Sequence, residues 1–361
     1  MIAYRTFRNI DPPALVDVWN TSFTHPRIVP VRSPTFLEYF LFAKTYFDPA
    51  GLIVALEGDK IVGFVHAGFT PREDQAGLES STGVICTLAV LPSYRRQGIG
   101  SQLVLRAEAY LRQRGAVRAW FGSQTPHNPF LFGLHGGCTT IGLVDNDEAS
   151  LRFLTRHGYD TPRRLLLFRR HLARLPIPMD TRFGAIRANY DILASYLRQA
   201  GWWQESVLGP VEAVEYRLED KLTHGVPARL VLWDMDTFSL HWGQPCIGLI
   251  DLQVIPSARR LGLAKYLMLN VLRHLRDRSF AFLEVAVAED NQAMRLLLSS
   301  LEFEPVGQGV SYFKPSLAVS GVDVSAGGES ALDGSGLDVS AAAASAVAAS
   351  TVEVSALSKR N

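Results

Sequence analysis

Cysteine is scarce. Cys86, Cys138 and Cys246 are the only three in 361 residues, and they stand far apart. An odd number with no Cys-x-x-Cys pair argues against a disulfide framework, and no Cys/His spacing suits a metal, so no metal site is expected. Such thiols fit a reducing compartment, and a cytoplasmic location is the expectation. Excess charge is also missing, the balance being +1. Without a basic field, nucleic acid is not an expected partner. No run of about 18 apolar residues exists to span a bilayer. The opening stretch MIAYRTFRNIDPPAL lacks the apolar core of a signal peptide, so no membrane association is expected. Aromatic residues stop at Phe313, and GVDVSA (321–326), GLDVSA (336–341) and VEVSA (352–356) recur loosely beyond it. Without large side chains that region cannot bury enough surface to offset its ordering entropy. Residues 316–361 are expected to form a disordered Ala/Ser/Gly-rich tail.

What is present suffices for two cores: 47% of the residues are apolar and 10% aromatic. The segment ARLPIPMDTR (173–182) breaks the pattern with two prolines, which predicts domains over 1–173 and 182–315. In the first, helices are expected near 12–24 and 34–46, then a hairpin over 52–69 turning at Glu57-Gly58-Asp59. A strand over 83–92, a helix over 98–114, a strand over 116–123, a long loop over 124–144, a helix over 147–157 and a strand over 164–171 follow. The second half is expected to repeat this order. Helices are predicted near 186–200 and 211–223, strands near 228–233, 238–242 and 247–256, a helix over 262–276, a strand over 280–288, a helix over 290–300 and a final strand near 309–313. Strands alternating with helices indicate an α/β or mixed α+β layered fold.

One motif occurs in both halves. Val90-Leu91-Pro92-Ser93-Tyr94-Arg95-Arg96-Gln97-Gly98-Ile99-Gly100 and Val254-Ile255-Pro256-Ser257-Ala258-Arg259-Arg260-Leu261-Gly262-Leu263-Ala264 are identical at six of eleven positions without a gap. Each follows an apolar strand and opens an amphipathic helix. A helix start offers unpaired N–H groups and the positive end of a dipole, which together suit an anion. Gly98 and Gly262 remove the side chain that would block phosphate oxygens, and Gly100 and Ala264 keep the first turn small. The pairs Arg95-Arg96 and Arg259-Arg260 add charge.

This pattern, [Q/R]-x-x-G-x-[G/A] after a strand ending in V-x-P, resembles the pyrophosphate loop of the GNAT superfamily of N-acetyltransferases. The later segments DEASLRFLTRHGY (147–159) and NQAMRLLLSSLEF (291–303) are similar to that family's N-x-A-x-x-x-L-Y-x-x-x-G-F helix. The resemblance covers about 1–172 and 182–314. It implies two tandem domains, each a mostly antiparallel, splayed sheet flanked by helices, and acetyl-CoA or another acyl-CoA as co-substrate. The residues it places on the acyl-CoA are Arg95, Arg96, Gln97, Gly98, Ile99, Gly100 and Ser101 in the first loop. In the second they are Arg259, Arg260, Leu261, Gly262, Leu263 and Ala264. The pantetheine would lie along Leu88, Ala89 and Val90, or Leu252 to Val254, with Asp147 or Asn291 close by. An N–H of Val90 or Val254 would polarise the thioester carbonyl. The family's thiolate-protonating Tyr is replaced by Leu154 and Leu298, and Glu302 stands where the second copy should have Gly.

General-base candidates are Asp251 on the splayed strand and Glu284 on the next; Thr87 takes the place of Asp251 in the first half, where His66 is an alternative. The loop 124–144, with Asn128, Phe130, Leu131, Phe132 and His135, is read either as a lid over an acceptor pocket or as a packing insertion. The expected activity is transfer of an acetyl group to an amine of a small molecule or peptide, by a monomer or homodimer. The first half is preferred for catalysis because of its fuller loop. The alternative is a catalytically silent acyl-CoA sensor or assembly module.

Overall fold

Hydrophobic alternation builds most of the molecule. The computed structural model describes residues 1–125, 131–144, 148–175, 180–197, 203, 206 and 211–318. The first half runs β1 (Ile2–Thr6), α1 (Pro12–Ser22), the short α2 (Pro34–Leu37) continued by a π-helical turn (Glu38–Phe42), β2 (Leu52–Glu57), β3 (Lys60–Pro71) and β4 (Leu78–Val90). It continues through α3 (Ile99–Gln113), β5 (Arg118–Phe121), β6 (Leu143–Val144), α4 (Glu148–Arg156) and β7 (Thr161–His171). The second half holds α5 (Phe183–Asn189), β8 (Tyr190–Tyr196), β9 (Ala213–Asp220), β10 (Ala228–Asp234), α6 (Asp236–Trp242) and β11 (Cys246–Val254). It ends with α7 (Leu263–Asp277), β12 (Phe282–Ala288), α8 (Gln292–Ser300) and β13 (Glu304–Lys314).

The two long helices carry the clearest amphipathic stripes. Leu103, Ala107 and Leu111 of α3 and Leu267, Val271 and Leu275 of α7 are buried against the sheet. Each such leucine contributes about 2 kcal/mol by leaving water. The opposite face of the sheet is covered in the first half by α1, through Leu15, Val18 and Trp19, and by α2 and its π-helical turn.

Several stretches depart from the sequence expectation. Residues 186–200 and 211–223, expected as helices, contain β8 and β9. In β9, Tyr216 and Leu218 enter the α7 core while Glu215, Arg217 and Glu219 form ion pairs elsewhere, a period of two that only a strand satisfies. Residues 238–242, expected as a strand, belong to α6, which buries Phe238 and ends on Gly243 at φ 67°. The helix expected over 34–46 keeps one regular turn before widening. Leu317, placed by sequence in the tail, is buried and donates its N–H to Val117 O at 2.8 Å. The remainder of the predicted tail, 319–361, lies outside the described residues.

The strands form one sheet in the order β1-β2-β3-β4-β5-β13-β7-β12-β11-β10-β9-β8, with β6 on β13. The two halves therefore exchange their closing strands. β13, from the end of the second half, pairs with β5 of the first through Tyr312–Phe121. β7, from the end of the first, pairs with β12 of the second through Val285–Phe168. The exchanged strands pair with each other at the centre of the sheet.

Candidate active site

Each half contains a bulge at the same place in its motif-bearing strand. Against β3, His66 pairs with Thr87 and Ala67 with Ile85, leaving Cys86 as the extra residue. Against β10, Val231 pairs with Asp251 and Leu232 with Leu249, leaving Ile250. On the other side, β4 pairs in parallel with β5 only over Thr82–Ile85, and β11 with β12 only over Cys246–Leu249. Beyond those points the strands part.

The hydrogen-bond alternation fixes which amides face the gap. Leu91 N–H donates to Val62 O at 2.9 Å and Ile255 N–H to Pro227 O at 3.0 Å. In an antiparallel pair every second residue turns its N–H toward the partner, so Leu88 and Val90, and likewise Leu252 and Val254, turn theirs into the opening. Ala89 is turned to β3, so its N–H takes no part there. The Asp251 carboxylate accepts from the Leu252 amide.

The loops that follow match each other in backbone as well as in sequence. Arg96 and Gly98 have φ 64° and 81°, Arg260 and Gly262 φ 66° and 86°. Arg95 donates to Val90 O at 3.0 Å and to Ser22 O at 3.0 Å, and Arg259 donates to Val254 O at 3.3 Å. These two guanidiniums thus tie each loop to the end of its own strand, a positioning task that the sequence did not suggest. Gln97 donates to Ser93 O at 3.2 Å. The N–H groups of Gly98, Ile99 and Gly100, and of Gly262, Leu263 and Ala264, have no acceptor among the described residues. They are the orphan donors of two 15-residue helices, an arrangement that could hold an anion.

The sheet face away from α3 and α7 differs between the halves. In the first, Thr87 and His66 are buried beneath a roof of Leu15, Trp19, Leu37, Leu41 and Leu131 around a small apolar cavity, and Ala89 is buried as well. Burial pushes the His66 imidazole down to about 3 and the Cys86 thiol up to about 12. In the second half the corresponding face carries charge. Arg229 donates to Glu215 at 2.9 Å, to Asp251 at 3.2 Å and to Gln253 at 3.3 Å. Arg217 lies 3.9 Å from Glu215 and 3.8 Å from Glu219. Ile250 and Gln253 are exposed. Burial raises the pKa of Asp251, with Arg229 acting in the opposite direction.

The remaining sequence candidates lie elsewhere. Glu284 has no exposed surface and is held by Arg27 at 3.1 Å, Arg169 at 2.8 Å and the Cys138 amide at 3.1 Å. With both oxygens engaged, it ties the halves together and has no free lone pair aimed at the gap. His135 belongs to a wedge, residues 131–144, whose Leu131, Phe132, Leu134, Cys138 and Ile141 are all buried. Phe132 packs on Trp233 at 4.5 Å, and Trp233 donates to Cys138 O at 2.8 Å. The described part of the long loop is therefore a packing insertion between the halves. Burial pushes the pKa of His135 down to about 4. Asn128, Phe130 and Asp147 lie outside the described residues. Asn291 caps α8, accepting from Met294 N–H at 3.1 Å. Leu154 and Leu298 are both buried, facing their cores. Among the described residues no His/Cys/Asp/Glu group could hold a metal, and no helix is long and apolar enough to cross a membrane.

Comparison with known proteins agrees with this geometry. The model of the acetyltransferase (GNAT) family matches residues 13–135 and again 216–303. A mycothiol acetyltransferase of Thermomonospora curvata is 27% identical over 284 residues, spanning 73% of this chain and 82% of that protein. One from Parafrankia sp. is 27% identical over 304 residues, spanning 73% and 83%. Among solved structures, a tandem GNAT protein from the clavulanic acid biosynthesis pathway superposes with a TM-score of 0.59 at 16% identity, covering 89% of this chain and 100% of that one. A GNAT from Sphaerobacter thermophilus gives 0.57 at 14% identity, covering 90% and 98%. With two bulged strands, two matching loops at the starts of α3 and α7, and two regions matched by the family's model, the chain belongs to the GNAT family of N-acetyltransferases, in its tandem arrangement.

Proposed function

We propose that the second half transfers an acetyl group from acetyl-CoA to the amine of a small polar molecule, while the first half binds acyl-CoA without turning it over. The observation that carries this reading is the contrast between the two acceptor faces. An amine can approach β11 across the ladder of Glu215, Arg229, Asp251 and Gln253, but in the first half apolar side chains roof over Thr87. This reverses the preference for the first half that the fuller loop motif suggests. Relatives named mycothiol acetyltransferase support a small-molecule acceptor.

In this mechanism the diphosphate sits on the amides of Gly262 to Ala264, and the pantetheine extends along Leu252–Val254 like an added strand. The Leu252 N–H is taken by Asp251, so the open-side N–H of Val254 points at the thioester oxygen and stabilises the charge that develops on it. Asp251 accepts the proton that the amine sheds as its nitrogen bonds to the carbonyl carbon. The carbon–sulfur bond then breaks. Leu298 stands at the usual tyrosine position and has no proton to give, so the departing thiolate takes its proton from water.

Steady-state CoA release with a panel of small polar amines tests the reading. Gly262→Glu should abolish release and Gly98→Glu should leave it. The opposite pattern would return catalysis to the first half, and binding without release for every amine would favour the sensor alternative.

A further inference from the structure

The second phosphate loop has a feature that the first lacks. A methyl group placed on Gly98 would meet nothing within 4 Å, whereas one on Gly262 would meet the Arg182 guanidinium at 3.1–3.4 Å. Arg182 comes from the segment between the two repeats and lies over the mouth of the loop. Asp180 grips it in two-pronged fashion, at 2.9 Å through Nε and 2.7 Å through Nη2. Its Nη1 also donates to Arg260 O at 3.3 Å. The next residue, Phe183, packs edge-on against Tyr266 in the first turn of α7 at 5.3 Å. The guanidinium is thus fixed relative to the helix start on both sides.

We infer that Arg182 is a direct ligand of the acyl-CoA diphosphate at the second loop. A guanidinium has five N–H donors. Three are used by Asp180 and Arg260 O, so two remain, beside the open amides of Gly262, Leu263 and Ala264. Planar donors of this kind suit phosphate oxygens, and the Asp180 clamp sets their direction before the ligand arrives. Arg259 of the repeated motif does not fill this role, because it is turned back onto Val254 O. Sequence comparison of the two repeats cannot reveal Arg182, since it belongs to neither copy.

The inference rests on the second half being an acyl-CoA site, so the test isolates that site. In the full-length Gly98→Glu protein, titration calorimetry with acetyl-CoA gives the affinity of the second loop alone. Adding Arg182→Ala should weaken binding about tenfold, the scale of one charge-assisted contact. Arg182→Lys should recover part of the loss. Binding of S-acetylpantetheine, which has no diphosphate, should be the same with and without Arg182→Ala. Equal or tighter acetyl-CoA binding by the Arg182→Ala protein would overturn the inference alone. Failure of the Gly98→Glu protein itself to bind acetyl-CoA would overturn both this and the second-half assignment.

Discussion

Glu284 of the second half and Arg27 of the first meet at 3.1 Å in an interior where the carboxylate has no exposed surface. Arg169 completes the cluster at 2.8 Å, and its guanidinium lies 3.8 Å from the centre of the Phe282 ring. Removing one partner of such a group strands a buried charge and costs roughly 3–5 kcal/mol. Glu284→Ala should therefore lower unfolding stability by about that amount in a urea titration. If stability is unchanged and only turnover falls, Glu284 is a proton acceptor after all.

Asp251 predicts a catalytic pH profile. Asp251→Asn should slow transfer by roughly a hundredfold while acetyl-CoA affinity stays within error. Since burial raises its pKa, the acid limb of the wild-type rate profile should lie above the usual aspartate range. The rate should fall as pH drops through that value, when the carboxylate gains its proton. A variant with the same limb and rate would exclude Asp251 from proton removal.

Acid should also act on stability through His66. Its pKa is pushed down to about 3 when folded, against an ordinary value of 6.5. Between those values the unfolded chain binds a proton that the folded chain refuses, so stability declines as pH is lowered below about 6.5. In His66→Leu that decline should be shallower by up to one proton's worth between pH 6.5 and 4.5, read from melting temperatures. Parallel curves for the two proteins would contradict the buried neutral imidazole.

The exchanged strands predict one cooperative unit. A chain cut at an engineered protease site within the 173–182 connection should stay together through gel filtration, because β7 and β13 each lie in the other half's sheet. Two separately eluting folded pieces would contradict the strand order.

The two matching turns into α3 and α7 were legible in sequence because their geometry is local: a strand end, arginines and a positive-φ glycine within eleven residues. The charged ladder was not. Glu215-x-Arg217-x-Glu219 alternates with a period of two, but the intervening Val214, Tyr216 and Leu218 also resemble a helical stripe over so short a span. Reading 211–223 as a helix scattered those charges around a cylinder instead of aligning them beside Arg229. Glu284 misled for a different reason. A carboxylate on a strand next to the splay suggests a base until Arg27 and Arg169, distant in sequence, arrive beside it. Arg182 lay hidden in a stretch whose prolines suggested only a connection.

The exchange of β7 and β13 also has a consequence for synthesis. On the ribosome, β5 must wait for Lys314 to be translated before its second permanent neighbour exists, although β5 itself ends at Phe121. Until then the nascent first half carries an unmatched β edge, the kind of surface on which chains associate wrongly. The last of the described strands is the one that seals the first half, so premature termination just before β13 should leave the first half unfinished.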